Sequence, residues 1–477
     1  MTFDSTGAVA PTDPERDAEL GDVPLANLVV RLSSSDLGLP PRLLPFDPDT
    51  QCDCACFAVE GEALPLLQSP VSFYLELTPS CNNNCPDCGN VFAQSRLHGG
   101  ADAAPPPLSA AKWEQLLKKL QPYAYRLKLT GGEPTIHPEF ETIVKTVSSL
   151  HIPFTLFTNG RWQAPERLCA LLNGISCFEG FLISLHGPTA TAHEAFTRQP
   201  GSFVETLANI RMAIKARLPV SLSCIITRLN WHLVEEMVKT AKGLGANSVV
   251  FNRYLGANTT TLAAGAEELQ SAIHSIEILR AAGEPVKLGN CLPACFAPTS
   301  QAGCLAGIAF FTVDPWGRAR PCNHASLLCG NLLQQSVEAI WHSPTMARWR
   351  ALYSAQCESC AALATCRGGC RAQALALDQE ADPLMTLALL RTPERPRVYM
   401  TFFDQARPVA RFSRRLEEFG LLLLAGSQLF PVSHDRQSIL DTLDGQNTLR
   451  QIQAAHGSKG LALVASLYQR GMVELCV

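Results

Sequence analysis

From residue 71 to about 255 the chain alternates short β-rich runs with amphipathic helical stretches, and this alternation restricts the fold more than any other feature. The strand candidates are "VSFYLEL", "YRLKLT", "PFTLFT", "GFLISL", "VSLSCIIT" and "NSVVFNRY". Between them lie "SAAKWEQLLKKL", "FETIVKTVSSL" and "FVETLANIRMAIKA", whose apolar residues recur with the period of a helix. Strands separated by helices run parallel, because a helical crossover returns the chain to the same end of the sheet. The six units predict an α/β fold, a partial (β/α)6 TIM-like barrel rather than a closed eight-fold ring. In such barrels chemistry gathers at the C-terminal ends of the strands.

At 477 residues, 47% apolar and 17% charged, the chain is long enough for two to four buried cores. A net charge of -4 with no long Lys/Arg run leaves no footprint for nucleic acid. No charged segment followed by an apolar run opens the chain, and the apolar stretches break well short of a membrane span, so a soluble, cytoplasmic protein without membrane contact is expected. The 19 cysteines are the anomaly. An odd number without an export signal points to a reducing compartment, where clustered thiols serve metals or redox chemistry.

The expected organisation is a disordered tail (1–20), an N-terminal extension (21–70), the barrel (71–290), a cysteine-rich domain (291–385), a linker (386–405) around "RTPERPRV", and a last compact unit (406–477). In the extension Cys52, Cys54 and Cys56 alternate, so on a strand they share one face, as a metal clasp or as simple packing. The last unit reads as a hairpin, "FGLLLLAG" and "QLFPVS", then three short helices and a strand "MVELCV". N-caps at Ser433 and at Asn447 or Thr448, with stops at Gly445, Gly457 and Gly471, give a small winged-helix-like α+β pattern.

The loop after the first strand, "TPSCNNNCPDCGN", places Cys81, Cys85 and Cys88 in CxxxCxxC spacing. Three thiolates on one loop hold three corners of a [4Fe-4S] cluster and leave the fourth iron without a protein ligand. Structural zinc is the alternative, but it takes four closed ligands, and His98 is the nearest further candidate. CxxxCxxC after a first barrel strand resembles the radical S-adenosylmethionine (SAM) enzymes. "TGGEP" follows the second strand as that family's GGE motif does, and "ISLHG" ends the fourth. The resemblance implies SAM binding by Gly131, Gly132, Glu133 and Pro134, with Glu133 toward the ammonium group and Ser184 toward the ribose. It also implies a low-potential electron donor of flavodoxin or ferredoxin type, and reductive cleavage of SAM to a 5'-deoxyadenosyl radical that abstracts hydrogen. Asp87 stands where the family usually has an aromatic residue, and Phe92 is a candidate to supply the ring.

Downstream, Cys304 is followed by twelve residues, Gly317, four residues and Cys322, and then by "CESCAALATCRGGC" with Cys357, Cys360, Cys366 and Cys370. This resembles the SPASM extension of radical SAM enzymes, which carries two auxiliary iron–sulfur clusters; a four-cysteine zinc ribbon is the alternative. The resemblance implies a first auxiliary site of Cys304, Cys322 and Cys370 with Cys291 or Cys295, and a second of Cys357, Cys360 and Cys366. No cysteine follows Cys370 before Cys476. The fourth position of the second site is therefore open between Asp378 or Asp382, Cys329, and substrate. Cys169, Cys177 and Cys224 sit in apolar runs and read as small core residues.

"ILDTLDGQNTLRQI" in the last unit resembles PqqD-like peptide-recognition domains, which add a leader peptide as an extra strand to a sheet edge, here expected within 420–432. A winged helix also binds DNA, which the charge balance disfavours. Together these resemblances imply an oxidoreductase and maturase that modifies a ribosomally made precursor peptide by crosslinking, epimerisation or oxidation. "FNRYLGAN" (251–258) is as similar to radical SAM enzymes that alter tetrapyrrole side chains in haem pathways, and a non-catalytic iron–sulfur carrier is a third reading. His137, Glu179, His186, His193, Arg253 and Tyr254 fall near predicted strand ends, but an acid or base cannot be assigned among them from sequence.

Overall fold

The computed structural model describes residues 63–86, 88, 105–256, 261–298, 303–386 and 404–476, with backbone alone for Leu28–Leu32 and Val398–Phe402. Two compact units result, one built on residues 66–391 and the other on 392–477 with the strand β1 (Leu28–Leu32). The expectations for residues 1–20, for Cys52, Cys54 and Cys56, and for Asp87, Phe92 and His98 lie outside the described residues.

The larger unit is organised by a ten-stranded sheet. Its centre is six parallel strands in sequence order: β2 (Ser72–Glu76), β3 (Arg126–Thr130), β4 (Phe154–Thr158), β5 (Phe178–Ser184), β6 (Val220–Ile226) and β7 (Ser248–Arg253). Each coincides with a strand expected from sequence. All five residues of β2 are buried, as in a parallel sheet covered on both faces. The crossovers carry α1 (Ala110–Leu120), α2 (Phe140–Ser149), α3 (Pro165–Asn173), α4 (Ala190–Thr197), α5 (Ser202–Lys215) and α6 (Val234–Leu244). Trp113, Leu116, Leu117 and Leu120 form the buried stripe of α1, and Ile143, Val144 and Val147 that of α2.

The sheet continues past these six strands. After α7 (Ala266–Ala281), β8 (Val286–Leu288) adds in parallel to β7. On the other side β9 (Phe310–Val313) pairs in parallel with β2, and β10 (Arg318–Arg320) and β11 (Gly330–Asn331) extend it antiparallel. The cysteine-rich segment thus begins as a continuation of the barrel sheet and covers the edge that β2 would expose. A four-residue strand is too short for periodicity to show, but its side chains account for it: all of β9 is buried, and Phe311 meets Phe73 edge-on at 5.0 Å. Four short helices follow, α8 (Val337–Trp341), α9 (Pro344–Arg350), α10 (Leu363–Cys366) and α11 (Arg371–Ala376).

In the second unit β12 (Val398–Phe402), inside the span expected as a linker, pairs antiparallel with β1. β13 (Arg407–Ala410) pairs with β17 (Val473–Cys476), and β14 (Ser413–Glu417), β15 (Gly420–Ala425) and β16 (Gln428–Ser433) form an antiparallel meander. The hairpin is β15–β16, but β14 covers the other side of β15. Within the span 420–432, residues 420–425 are central and β16 is the edge strand. Of the three expected helices the first, α12 (Gln437–Leu440), is four residues long. The other two run together as α13 (Leu449–Gln469), opened by a Thr448–Gln451 capping box and interrupted at Gly457, where φ is 63°. Leu423, Phe430, Leu440, Leu449, Val464 and Met472 belong to its core. Among the described residues no helix is long and apolar enough to cross a membrane.

Candidate active site and auxiliary cysteine sites

The loop carrying Cys81, Cys85 and Cys88 leaves the C-terminal end of β2, and the "TGGEP" turn leaves β3 beside it. The two touch backbone to backbone: Gly132 N–H donates to the Thr78 carbonyl at 2.8 Å and Glu133 N–H to the Ser80 carbonyl at 2.7 Å. A Cβ on Gly132 would lie 2.0 Å from the Ser80 oxygen, and one on Gly131, at φ 143°, 2.6 Å from the Thr78 oxygen. The glycine pair therefore lets the two loops close on each other, a use sequence reasoning did not assign. Gly132→Ala is expected to push the cysteine loop outward, at a cost of about 1–3 kcal/mol, and iron analysis should then show the loop's iron largely lost.

Glu133 is fully buried. Its carboxylate accepts from Thr135 N–H (3.2 Å) and Oγ1 (2.7 Å), from Thr158 Oγ1 (2.8 and 2.9 Å) and from Asn159 N–H (2.7 Å). Burial pushes its pKa up, against those hydrogen bonds. The carboxylate thus fastens the end of β4 to the turn after β3. Pro134 starts the short 3₁₀ turn that follows, and Ser184 is the last, half-buried residue of β5.

The asparagine run in the cysteine loop is explained by residues after β4. Asn159 Nδ2 donates to Asn82 Oδ1 at 2.6 Å and approaches Cys81 Sγ at 3.6 Å. Asn82 Nδ2 donates to the Arg161 carbonyl (2.9 Å), and the Arg161 guanidinium donates to the Asn82 carbonyl, to Asn83 Oδ1 (3.0 Å) and to Glu205 (2.8 Å). Asn84 N–H donates to the Thr197 carbonyl at 3.0 Å. Asn159 and Arg161 were missed from sequence; the polar "TNGR" directly after a strand was the available signal. The three thiols are brought together. Burial, then Cys88 and Cys81 nearby, pushes the Cys85 thiol well up, and burial raises Cys81. Such thiols stay protonated unless a cation takes them as thiolates, which is the chemistry an iron cluster supplies.

The auxiliary cysteines fall into two groups. The Cys291 thiol lies beside Cys304 and Cys370; its proximity first, aided by Arg371 near Cys304 and Arg253 near Cys370, holds both below the usual thiol range and pushes Cys291 well above it. Cys322 is electrostatically coupled to Cys304 and Cys370. In the second group Cys357 lies close to Cys366, Cys360 and Cys295. Among the described residues no three His, Cys, Asp or Glu side chains converge tightly enough to hold a single metal ion. A multi-iron cluster spreads its thiolates further apart than one zinc ion does, and each group offers an all-sulfur donor set, so the residues fit iron–sulfur clusters.

β7 supports this region. Arg253 is buried in a two-pronged ion pair with Asp382, at 2.9 and 2.6 Å, and the same carboxylate accepts from Cys370 N–H at 2.6 Å. Arg253 backbone groups exchange two hydrogen bonds with the Asn290 side chain (2.9 and 2.8 Å), and those of Gly256 two with Gln373 (2.8 and 3.0 Å). "FNRYLG" is thus the strut of the first auxiliary group. Glu179 pairs with Arg126. His137 Nδ1 accepts from Glu139 N–H and its Nε2 meets the Leu108 carbonyl. His193 Nδ1 accepts from His186 N–H, and His186 Nδ1 from Ile225 N–H. Burial holds His186 well below the usual imidazole range and His193 at about 4, so both are neutral at pH 7. Tyr254 lines a cavity of about 240 Å³ at the ends of β6 and β7, with Ile226, Arg253, Leu269, Gln373 and Leu384.

The model of the radical SAM superfamily matches residues 75–241, and that of the SPASM iron–sulfur cluster-binding domain matches residues 304–367. A PqqA peptide cyclase of Rhizobium meliloti is 25% identical over 369 residues, 74% of this chain and 95% of that protein. The mycofactocin maturase MftC of Mycobacterium tuberculosis is 29% identical, covering 64% and 79%. The structure of Streptococcus suis SuiB bound to its precursor peptide SuiA shares the fold, with TM-score 0.56 and 14% identity over 68% of this chain and 77% of that one. The barrel, the cysteine loop at its strand ends and the two matched segments make the chain a radical SAM enzyme with a SPASM auxiliary domain.

Proposed function

We propose that this enzyme is a maturase that modifies a ribosomally made precursor peptide. The observation that carries the reading is the PqqA peptide cyclase, aligned over 95% of its length and named for a peptide substrate, with a maturase of 29% identity beside it. Cys81, Cys85 and Cys88 would hold a [4Fe-4S] cluster with one iron left without a protein ligand, and Gly131, Gly132, Glu133, Pro134 and Ser184 would line the position of SAM. When bound, cluster and SAM would supply the radical chemistry that removes hydrogen from an unactivated carbon. The chain's own residues orient and shield: the Asn82–Arg161–Asn159 network fixes the loop, and the cavity beside Tyr254 takes a substrate side chain. A flavodoxin or ferredoxin type of protein delivers the electron.

The meander and helices of the second unit support a PqqD-like leader-binding role, with the leader added along β16 as a further strand. The tetrapyrrole reading rested on "FNRYLGAN", and in the structure Arg253 and Gly256 of that segment are committed to Asp382 and Gln373. The test is anaerobic incubation of the full chain with SAM, dithionite and the short peptide encoded beside its gene. A SAM-dependent mass change in that peptide is expected. An unchanged peptide, with a tetrapyrrole altered instead, would overturn the proposal.

A further inference from the structure

The segment "CLPAC", residues 291–295, runs from the first auxiliary group to the second and carries a cysteine at each end. At its start, Asn290 is fixed by two hydrogen bonds to the backbone of Arg253, next to Cys291, whose thiol lies beside those of Cys304 and Cys370. In its middle, Pro293 packs where a Cβ on Gly369 would approach it to 3.0 Å. At its end, Ala294 N–H donates to Cys366 Sγ at 3.3 Å, and the Cys295 carbonyl accepts from Thr386 Oγ1 at 3.0 Å. The backbone thus passes directly beside Cys366 Sγ of the second group one residue before Cys295.

We propose that Cys295 is the fourth thiolate of the second auxiliary iron–sulfur site, completing Cys357, Cys360 and Cys366, while Cys291 completes Cys304, Cys322 and Cys370. The inference rests on the cluster-binding reading above and deepens it. The other candidates are engaged or placed elsewhere. Asp382 spends its carboxylate on Arg253, Cys370 N–H and Leu384 N–H. Asp378 sits exposed in a left-handed turn just past α11, at φ 52°. Cys329 is buried beside Arg350, its N–H paired with the Ala319 carbonyl of β10.

The consequence concerns substrate. With four protein thiolates neither auxiliary site keeps an open corner for a peptide cysteine, so neither grips the substrate by an iron–sulfur bond, and among the described residues the open metal position is at the Cys81–Cys85–Cys88 loop. Both sites also share one five-residue segment, which fixes their spacing.

The test uses the full chain carrying Cys81→Ala, Cys85→Ala and Cys88→Ala, reconstituted anaerobically, so that auxiliary clusters alone contribute to the spectrum. Iron, sulfide and the paramagnetic signals of the dithionite-reduced protein are then read for further single changes. Cys295→Ala and Cys357→Ala are expected to lose or alter the same one of two signals, and Cys291→Ala and Cys304→Ala the other. Cys295→Ser, which preserves volume, should keep the second cluster and shift its midpoint potential downward, a readout that misfolding would not give. The proposal is overturned if Cys295→Ala changes the signal that Cys291→Ala changes, or changes neither. If the parent shows no auxiliary signal at all, the cluster-binding reading itself fails, and the two failures are distinct.

Discussion

Cys85→Ala is expected to reduce formation of 5'-deoxyadenosine from SAM to the level of the enzyme-free blank, measured by chromatography after anaerobic incubation with dithionite. Cys85 is the middle of three thiols on one loop, beside Cys81 and Cys88. Removing it leaves two ligands, too few for a cluster that already lacks a fourth. The loop itself should persist, because its clamp consists of Asn82, Asn83 and Asn84 bonded to Arg161, Asn159 and Thr197 rather than of the thiols. The auxiliary clusters should therefore survive, and the variant should remain brown with reduced iron content. Partial activity would mean that a residue outside the described segments replaces the thiolate.

The second large effect is expected at Asp382. Its carboxylate, side chain fully buried, faces the guanidinium of Arg253, which is 3% exposed. Deleting one partner leaves the other charge buried and unpaired, a cost of about 3–5 kcal/mol. Asp382→Ala also removes the acceptor for Cys370 N–H, so the first auxiliary group loses both its anchor and its link to β7. Thermal loss of the iron chromophore should shift to markedly lower temperature. The double variant Arg253→Met with Asp382→Leu should recover only part of that shift: replacing the buried pair by apolar side chains removes the unpaired charge, but Cys370 N–H and Leu384 N–H still lack their acceptor. If the single variant melts with the parent, the pair contributes little and "FNRYLG" is not the strut described above.

The barrel was legible because its information is local. Six strands and the three quoted helices follow from hydrophobic period, and the cysteine loop sits where the end of β2 places it. β9 was not legible: four buried residues carry no period, and their partner β2 is more than 200 residues away in sequence. For the same reason β14, the third strand of the small meander, was not read from sequence. β14, "SRRLE", has mostly charged, exposed residues and pairs only because β15 offers it a backbone. In the site, spacing identified the thiols but not what holds them. Gly132, Asn159, Arg161 and Asp382 act through contacts with distant segments, which motif wording does not encode. The division of Cys291 and Cys295 between two groups depends on how the backbone threads past Cys366, a matter of tertiary structure alone.

The account's central claim is that three thiolates at the end of β2 leave one metal position free for SAM. The most direct measurement is the electron paramagnetic resonance spectrum of the dithionite-reduced holoenzyme, recorded before and after adding SAM. The account predicts that one signal, absent from the Cys81→Ala, Cys85→Ala and Cys88→Ala triple variant, shifts its g-values on addition, while the auxiliary signals do not move. A spectrum unchanged by SAM, with that signal present, would contradict it.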